Sequence, residues 1–577
     1  MFKADHCSLC FDTIKINKCN VENLITLHNQ LVQKEGFNFD SLRVPTFSKL
    51  NIPFWKEQLK FYTDKNICEF LEFGWPVGLK FPEQIRSSSS KVRNHAGARN
   101  FPREIEKYIK KEMSYGAILG PFKSNPFTDA LTLSPLNSVP KSNSTERRII
   151  MDLSFPKGHS VNDCIDKHDY LGERVDLHYP NVDNLVDIIK QKGPHCHIFK
   201  RDLRRAYRQI PLDPKNYNLV GFSWRQHIFV DKVLPMGLTS SAYICQRITT
   251  AVSFIVKSHG VDVINYLDDF AGAEVPELSD AAYDQLKIVL QNCGLEESDE
   301  KACPPCTRMS FLGVWFDTEK MTLEVTPTRL SEILTLVNSW LSKQFANRKE
   351  VQSLIGKLNF VASCIKPGRI FISRILNLLR EFDSDKQVLD LTDEFKKDIY
   401  WWSEFLLIFN GISILNLEEW TEPDQFFSCD ACLSGCGGIN SSQYFHCTFP
   451  NFITQQNLHI NSLELLTVIV SLKVWARKGK KICIFCDNAV SVEVINHGRS
   501  RSRFLQACLR EIAFICAVQE CEIKAVHVKG ENNRISDLLS RWDLSPLYQS
   551  EFFHLVNRNF YQEIVIDDFL FRFQHDW

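Results

Sequence analysis

Long apolar runs are missing from this 577-residue chain: no stretch approaches the roughly 18 uninterrupted apolar residues of a membrane span. A secretory leader is missing too, because the first thirty residues mix Lys, Asp, Asn and Cys. The expectation is a cytoplasmic or nuclear protein without membrane association. Net charge is nearly absent, with 68 Lys and Arg against 69 Asp and Glu. That balance argues against a dedicated non-specific nucleic-acid coat. It leaves room for an enzyme that sets acids at metal sites and bases along a channel. No internal repeat is visible. Cysteine is plentiful at 20, but it is scattered through apolar runs such as Ile482-Cys483-Ile484-Phe485-Cys486, as buried reduced thiols are. A 44% hydrophobic and 24% charged composition excludes a wholly disordered chain. The length suggests about four domains.

Residues 1 to about 90 show short apolar runs and no sustained period, and the four serines Ser87 to Ser90 mark a linker. The basic stretch Lys91, Arg93, His95, Arg99 and Arg103 follows, then an amphipathic helix from Pro102 to Met113. From about 115 to 325, strand and helix patterns alternate as in an α+β domain. Strands are expected at Arg147 to Leu153 and His195 to Asp202. Helices are expected at Val182 to Lys190, Ser240 to His259 and Ser279 to Cys293. A hairpin is expected from Val261 to Val275 with Asp268-Asp269 at its tip. Residues 326 to 424 read as mostly helical, with a break at Pro367-Gly368. From 425 to 545 strands again lie between helices, as in a compact α/β layer, with Gly437 to Cys447 read as one strand. The tail, 546 to 577, is aromatic and has no assignable role.

Two clusters of acids carry chemistry. Tyr266-Leu267-Asp268-Asp269 lies between apolar strand-like runs, where Asp by itself is an ordinary turn residue. Asp202 ends the apolar strand His197-Ile198-Phe199. If that strand pairs with the hairpin, Asp202 faces Asp268. Carboxylates gathered so closely repel unless hard cations bridge them. Two such ions stabilise both the attacking and the leaving oxygen of phosphoryl transfer.

These residues resemble a reverse transcriptase. Phe199 to Tyr207 (Phe-Lys-Arg-Asp-Leu-Arg-Arg-Ala-Tyr) is similar to that family's first catalytic motif. Leu234 to Ala242 resembles its template- and nucleotide-contacting motif, and Tyr266 to Asp269 its Tyr-X-Asp-Asp box. Phe311-Leu312-Gly313 resembles its primer grip. The resemblance implies a right-hand polymerase of fingers, palm and thumb. It makes Asp202, Asp268 and Asp269 the metal-binding carboxylates of two Mg²⁺ (or Mn²⁺) ions, with Asp202 and Asp268 touching both. It makes Tyr207 a steric gate against a ribose 2′-OH and Gly237 part of the substrate-binding motif. Arg148 then contacts the incoming triphosphate, and Lys301 lies near the leaving pyrophosphate.

The second cluster is Asp430, Glu464, Asp487 and Asp537. Each could be a cap or strand-end residue, but Glu464 interrupts an apolar run where an unpaired carboxylate is costly. The set resembles the Asp-Glu-Asp-Asp metal site of ribonuclease H, which also holds two ions. Val526 to Arg534 is similar to the segment before that family's last aspartate, with His527 as its histidine. Polymerase, helical connection and ribonuclease H in this order resemble a retroelement enzyme. Gly116 to Phe122, His459 to Leu465 and Arg534 to Trp542 resemble DIRS- and Ngaro-like retrotransposons with a tyrosine recombinase. No Asp-Thr/Ser-Gly protease triplet or integrase zinc signature is present, and a recombinase does not fit in the 36 residues after Arg541.

The expected fold is thus α+β and multidomain: an extension of unknown role (1–90), fingers and palm (91–325), a helical thumb and connection (326–424), a ribonuclease H-like domain (425–545) and a tail (546–577). The expected function is RNA-directed DNA synthesis with degradation of the RNA of the hybrid. Its partners are an RNA template, a DNA primer, an RNA–DNA hybrid and dNTPs, with a recombinase and a gag-like protein from the same element. Two rivals are a domesticated or decayed element protein that binds nucleic acid without catalysis, and an RNA-making polymerase, which the bulky Tyr207 disfavours. A zinc set from His6, Cys7, Cys10, Cys19 and His28 is too loosely spaced to promote. Cys303 and Cys306 read as incidental thiols.

Overall fold

Proline at its first position and the buried faces of Ile105 and Ile109 make Pro102–Ser114 a helix in the computed structural model, as its spacing predicts. The structure describes residues 25–26, 28–30, 46, 48–82, 85, 92–141, 146–175, 179–365, 368, 370–406, 412–413, 422–556, 560–575 and 577. The serine linker, Lys91, Pro367, His6, Cys7, Cys10 and Cys19 lie outside them. Two units emerge, Met1–Leu312 and Gly313–Trp577. Among the described residues no helix is long and apolar enough to cross a membrane.

In the first unit the chain runs α1 (Ile52–Gln58), α2 (Ile67–Phe73), α3 (Pro102–Ser114), β1 (Ile118–Phe122), β2 (Leu136–Pro140) and β3 (Arg147–Met151). It continues through α4 (Val182–Lys192), β4 (His197–Asp202), β5 (Gly221–Trp224), β6 (His227–Asp231), α5 (Ser241–Ser258), β7 (Val263–Tyr266), β8 (Asp269–Glu274), α6 (Pro276–Cys293) and β9 (Cys303–Cys306). Local signals set several of these ends. Asn181 and Asn184 form a capping box at the start of α4, and Gly193 terminates it. The central sheet is antiparallel in the order β9-β4-β8-β7, and a second sheet has the order β1-β6-β5.

Residues 48–82 are an integral layer of this unit. Trp55 is fully buried and donates from Nε1 to the Cys293 carbonyl at 2.9 Å. Trp75 N–H donates to Pro211 O at 2.8 Å, and Val77 N–H to Asn216 Oδ1 at 2.8 Å. The Val77 carbonyl accepts from Ser240 Oγ at 2.7 Å, at the entrance to α5. No sustained period marks this layer in the sequence, because its helices are only seven residues long, α2 burying Ile67, Phe70 and Leu71 on one face.

The second unit begins with the hairpin β10 (Val314–Asp317) and β11 (Thr322–Val325) and the helices α7 (Pro327–Ser342), α8 (Arg348–Ala362), α9 (Ser373–Arg380) and α10 (Asp393–Phe405). It ends with β12 (Gln425–Ala431), β13 (Gly435–Asn440), β14 (Gln443–Thr448), α11 (Ile460–Trp475), β15 (Lys481–Cys486), α12 (Ala489–His497), α13 (Arg503–Val518), β16 (Glu522–His527), α14 (Arg534–Ser540), α15 (Pro546–Leu555) and β17 (Gln562–Glu563). The sheet order is β16-β15-β12-β13-β14-β17, with β15 parallel to both β12 and β16. The run Gly437 to Cys447, expected as one strand, is a hairpin. Asn440 Oδ1 accepts from Ser442 N and Gln443 N at 2.8 and 2.7 Å and turns the chain. Helix α12 was not expected either. The Asn488 side-chain cap and the left-handed Gly498 delimit it.

Buried ions join the helical and α/β parts of this unit. Asp398 of α10 is fully buried and faces Arg374 of α9 and Arg510 of α13, each at 3.4 Å. The tail returns to the same layer: buried Glu511 accepts from Trp577 Nε1 at 2.7 Å and pairs with Lys473 at 2.7 Å.

Trp55→Ala should destabilise the first unit by about 3–5 kcal/mol through the cavity and the lost Cys293 bond. Calorimetry of the full chain should show a lower midpoint for that unit and no shift for the second.

Two candidate carboxylate metal centres

The antiparallel pairing of β4 with β8 sets Asp202 opposite Asp269, not opposite Asp268 as the hairpin reading expected. The turn is Leu267-Asp268, and Asp269 already begins the returning strand. Asp268 nevertheless belongs to the group, because oxygen atoms of Asp202, Asp268 and Asp269 all lie within 4.8 Å of one another. Leu267 holds a left-handed φ of 53°, a strained conformation for a branched residue. Two bonds over-determine it. Gln246 of α5, almost fully buried, accepts from Leu267 N at 2.8 Å, and Leu203 N donates to the Asp268 carbonyl at 2.8 Å. Gln246 was not singled out from sequence; it lies at helical spacing amid apolar residues, where a polar residue is a signal.

Burial is the main force raising the proton affinity of Asp269, to about 7, with Asp202 adding to it. Asp268 is raised by burial and then by Asp202, while Lys301 and Arg148 oppose the shift. Lys301 Nζ donates to both oxygens of Asp202 at 3.0 and 2.9 Å, while most of its side chain stays exposed. Arg148 is exposed on β3, within electrostatic range of Asp268.

Tyr207 stands on the 3-10 turn Ala206–Gln209, half-buried. Burial raises its phenol, and Cys245, Asp268, Tyr179 and Tyr266 add to the effect. Tyr179, which no motif contains, packs its ring 5.5 Å from that of Tyr266. Gly237 has a φ of 110°, and a Cβ there would lie 2.3 Å from the Met151 carbonyl, so only glycine fits. Asn162 holds this loop by donating to Gly237 O at 2.7 Å and accepting from Thr239 N at 2.8 Å. Cys303 and Cys306, with sulfurs 3.7 Å apart, lie on β9 beside β4. His28 donates to the Pro214 carbonyl, and its ring lies 4.4 Å from that of Phe127 at a tilt of 54°.

The second cluster grows from parallel strands. Ser428 pairs with Phe485, so Asp430 and Asp487, each two residues further on, leave the same end of β12 and β15. Glu464 on α11 comes within 4.8 Å of Asp487 and of Cys486, whose thiol donates to Glu464 Oε2 at 3.9 Å. Burial, then Asp430 and Asp487, push Glu464 up to about 9. Burial pushes Asp430 up to about 7, while its acceptor bond from Ser540 Oγ at 2.6 Å works the other way. Gly437 lets α14 lie directly on the sheet, because a Cβ there would meet Leu539 Cβ at 2.3 Å. That close approach brings Asp537 toward Asp430. Among the described residues neither Asp430 nor Asp537 belongs to the 4.8 Å group. Asp537 is paired instead with Arg541 at 2.6 Å and Arg534 at 3.0 Å. His527 is exposed and donates from Nε2 to the Asp487 carbonyl at 3.1 Å.

Both centres gather carboxylate oxygens of the kind hard divalent cations favour, the second with the Cys486 thiol beside them, and neighbouring acids add to the effect of burial on their proton affinities. Without divalent ions, Glu464 keeps its proton in the folded state while the unfolded state ionises near 4.5. Its contribution to stability is complete below 4.5 and is lost as pH rises toward 9. In chelator, Glu464→Gln should therefore raise the unfolding midpoint at pH 8 and leave it unchanged at pH 4. An equal shift at both values would contradict the assigned cause.

Residues 139–316 match the family profile described as reverse transcriptase (RNA-dependent DNA polymerase). Protein P of duck hepatitis B virus is 28% identical over 243 residues, which cover 41% of this chain and 28% of that protein. Protein P of heron hepatitis B virus is 26% identical over 228 residues, 38% of this chain and 26% of that protein. The chain thus aligns with little more than a quarter of each of these relatives. A solved foamy viral protease-reverse transcriptase in complex with double-stranded DNA has a TM-score of 0.46 and 14% identity, over 83% of this chain and 81% of that one. A foamy viral protease-reverse transcriptase with RNA/DNA hybrid has a TM-score of 0.41 and 14% identity, over 87% and 62%. The paired aspartates on the β4–β8 register fall inside the segment, residues 139–316, that is similar to the reverse transcriptase profile.

Proposed function

We propose that this chain is an RNA-directed DNA polymerase with a second, ribonuclease H-like centre. The observation that carries the reading is the convergence of Asp202, Asp268 and Asp269 within 4.8 Å, inside the segment that matches the reverse transcriptase profile. In this reading the three aspartates hold two Mg²⁺ or Mn²⁺ ions. Bound, those ions stabilise the attacking and leaving oxygens of nucleotidyl transfer. Arg148 and Lys301 receive the triphosphate and the departing pyrophosphate. Gly237 admits the backbone close to the incoming nucleotide, and the ring of Tyr207 fills the space that a 2′-OH would need. The substrates are an RNA template, a DNA primer and dNTPs.

The second centre is proposed to cut the RNA strand of the hybrid, with Asp430, Glu464, Asp487 and Asp537 holding its ions and His527 at its rim. Glu464 supports this reading: it is a carboxylate kept in an apolar helix beside two others, a costly arrangement without a cation to hold. Asp537 must exchange its arginine partners for that role. The matches of Gly116 to Phe122, His459 to Leu465 and Arg534 to Trp542 favour a DIRS- or Ngaro-like element as the source. Such an element's recombinase and gag-like proteins would then be partners. The intact set of seven carboxylates weighs against a decayed protein that only binds nucleic acid.

Primer extension on an RNA template should need a divalent ion and stop in EDTA. Asp268→Asn with Asp269→Asn should lower extension by several orders of magnitude and spare cleavage of RNA in a hybrid. Undiminished extension by the double variant would sink the palm assignment. Glu464→Gln should give the reciprocal result, with cleavage abolished and extension largely retained. Cleavage that survives this change would remove the ribonuclease H reading and leave the polymerase one standing.

A further inference from the structure

Tyr207 is flanked by two arginines, and both are tied to one buried carboxylate. Glu112 of α3 is 4% exposed. Its Oε2 accepts from Arg205 Nη2 at 2.7 Å and from Arg208 Nε at 2.8 Å. Arg208, 5% exposed, also donates from Nη2 to Asp231 Oδ1 at 2.7 Å, and Asp231 is fully buried. The Arg205 guanidinium lies 3.6 Å from the centre of the Tyr115 ring, where its planar face stacks. Two positive and two negative groups therefore balance in a largely buried cluster, of which only Arg205 keeps partial contact with solvent.

We infer that this four-residue lock of Glu112, Arg205, Arg208 and Asp231 positions the sugar-facing ring of Tyr207 and thereby sets discrimination between deoxy- and ribonucleotides. The inference rests on the polymerase reading above. Its geometry is specific. Arg205 and Arg208 bracket Tyr207 in sequence, at two residues before and one after, so the turn carrying the ring is held on both sides. Arg205 caps that turn with a left-handed φ of 55°, a conformation that persists only where its surroundings over-determine it. Asp231 ends β6, and the chain beyond it leads through Lys232 and Leu234 to Gly237. Lys232 O accepts from Leu212 N at 2.9 Å, and Leu234 N donates to Ile210 O at 3.0 Å. Arg208 thus fastens the gate turn to the strand that feeds the glycine loop, while Glu112 fastens it to α3.

Stability alone is a poor explanation for such a device. Apolar residues of the same volume would hold the elements together as well or better, because a buried ion pair must offset its own desolvation. The lock is also not completed for stability: among the described residues Arg208 Nη1, Arg205 Nε and Asp231 Oδ2 are buried with no hydrogen-bond partner. What the arginine fork supplies is direction, since its N–H groups point at two carboxylates from different elements. A steric gate needs direction, because a small displacement of its ring decides whether a hydroxyl fits. None of the four residues needs to touch the nucleotide; they are positioning residues.

The test is single-nucleotide incorporation on an RNA template, comparing the efficiency for an rNTP with that for the matching dNTP. Arg205→Lys keeps the charge but loses the planar stack and the fork. Glu112→Gln keeps the shape but loses the charge that both arginines share. Each should raise the rNTP/dNTP ratio about tenfold, the scale of a modest change in fit, with RNA cleavage at the second centre unchanged. A defect of folding alone would lower both efficiencies together and leave the ratio in place. The full-chain Tyr207→Ala variant serves as the reference for an open gate. If Tyr207→Ala moves the ratio and Arg205→Lys, still extending with dNTPs, does not, the lock is overturned while the polymerase reading stands. If wild-type protein incorporates neither nucleotide, the polymerase reading falls and this inference with it. Should Glu112→Gln fail to fold, the charge-preserving Arg205→Lys decides the matter.

Discussion

Carboxylates brought together out of water repel one another and resist ionising, and much of the local structure around both centres answers that constraint. At each centre burial, more than the neighbouring charges, does most to raise proton affinity, carrying Asp269 and Asp430 to about 7 and Glu464 to about 9. Such groups store unfavourable energy until a cation arrives. They survive in the fold because rigid elements hold them: a strand register in one unit, and the shared end of two parallel strands in the other.

The two centres relieve the repulsion differently. In the first, Lys301 reaches Asp202 with a full positive charge, and Arg148 acts on Asp268 through space. In the second, a hydroxyl and a thiol share the work, with Ser540 bonded to Asp430 and Cys486 to Glu464. Asp537 is neutralised apart from the others by Arg534 and Arg541. The acids of the first centre lie together, while in the second Asp537 is held apart by two arginines.

Much of the architecture was legible in the residues. The strand-helix alternation, the helix ends at Gly193 and Gly294, and the long helix after the Leu-Pro-Met-Gly motif follow from periodicity and capping, which are local. The candidate acids were legible as well, because Asp at strand ends and Glu within an apolar helix contradict their surroundings. What escaped was what depends on distant partners. The turn at Leu267 is one residue earlier than the paired aspartates suggested, because Gln246, twenty-one residues upstream, clamps it there. The layer from residue 48 to 82 shows no sustained period, because its helices are short and its other anchors each meet a different distant neighbour.

Sequence alone determined which groups were available and in what order: seven acids of the right type, a bulky ring five residues after the first of them, and glycines where side chains could not fit. Only the tertiary structure decided which of these meet. It set Asp202 against Asp269, brought Lys301 onto Asp202 across ninety-nine residues, and joined Glu112 to two arginines across more than ninety. Residue type and local period act along the chain, where a few dihedral angles limit the outcome. Electrostatic and steric encounters act through space, and their partners are fixed only once register and packing have closed the distance.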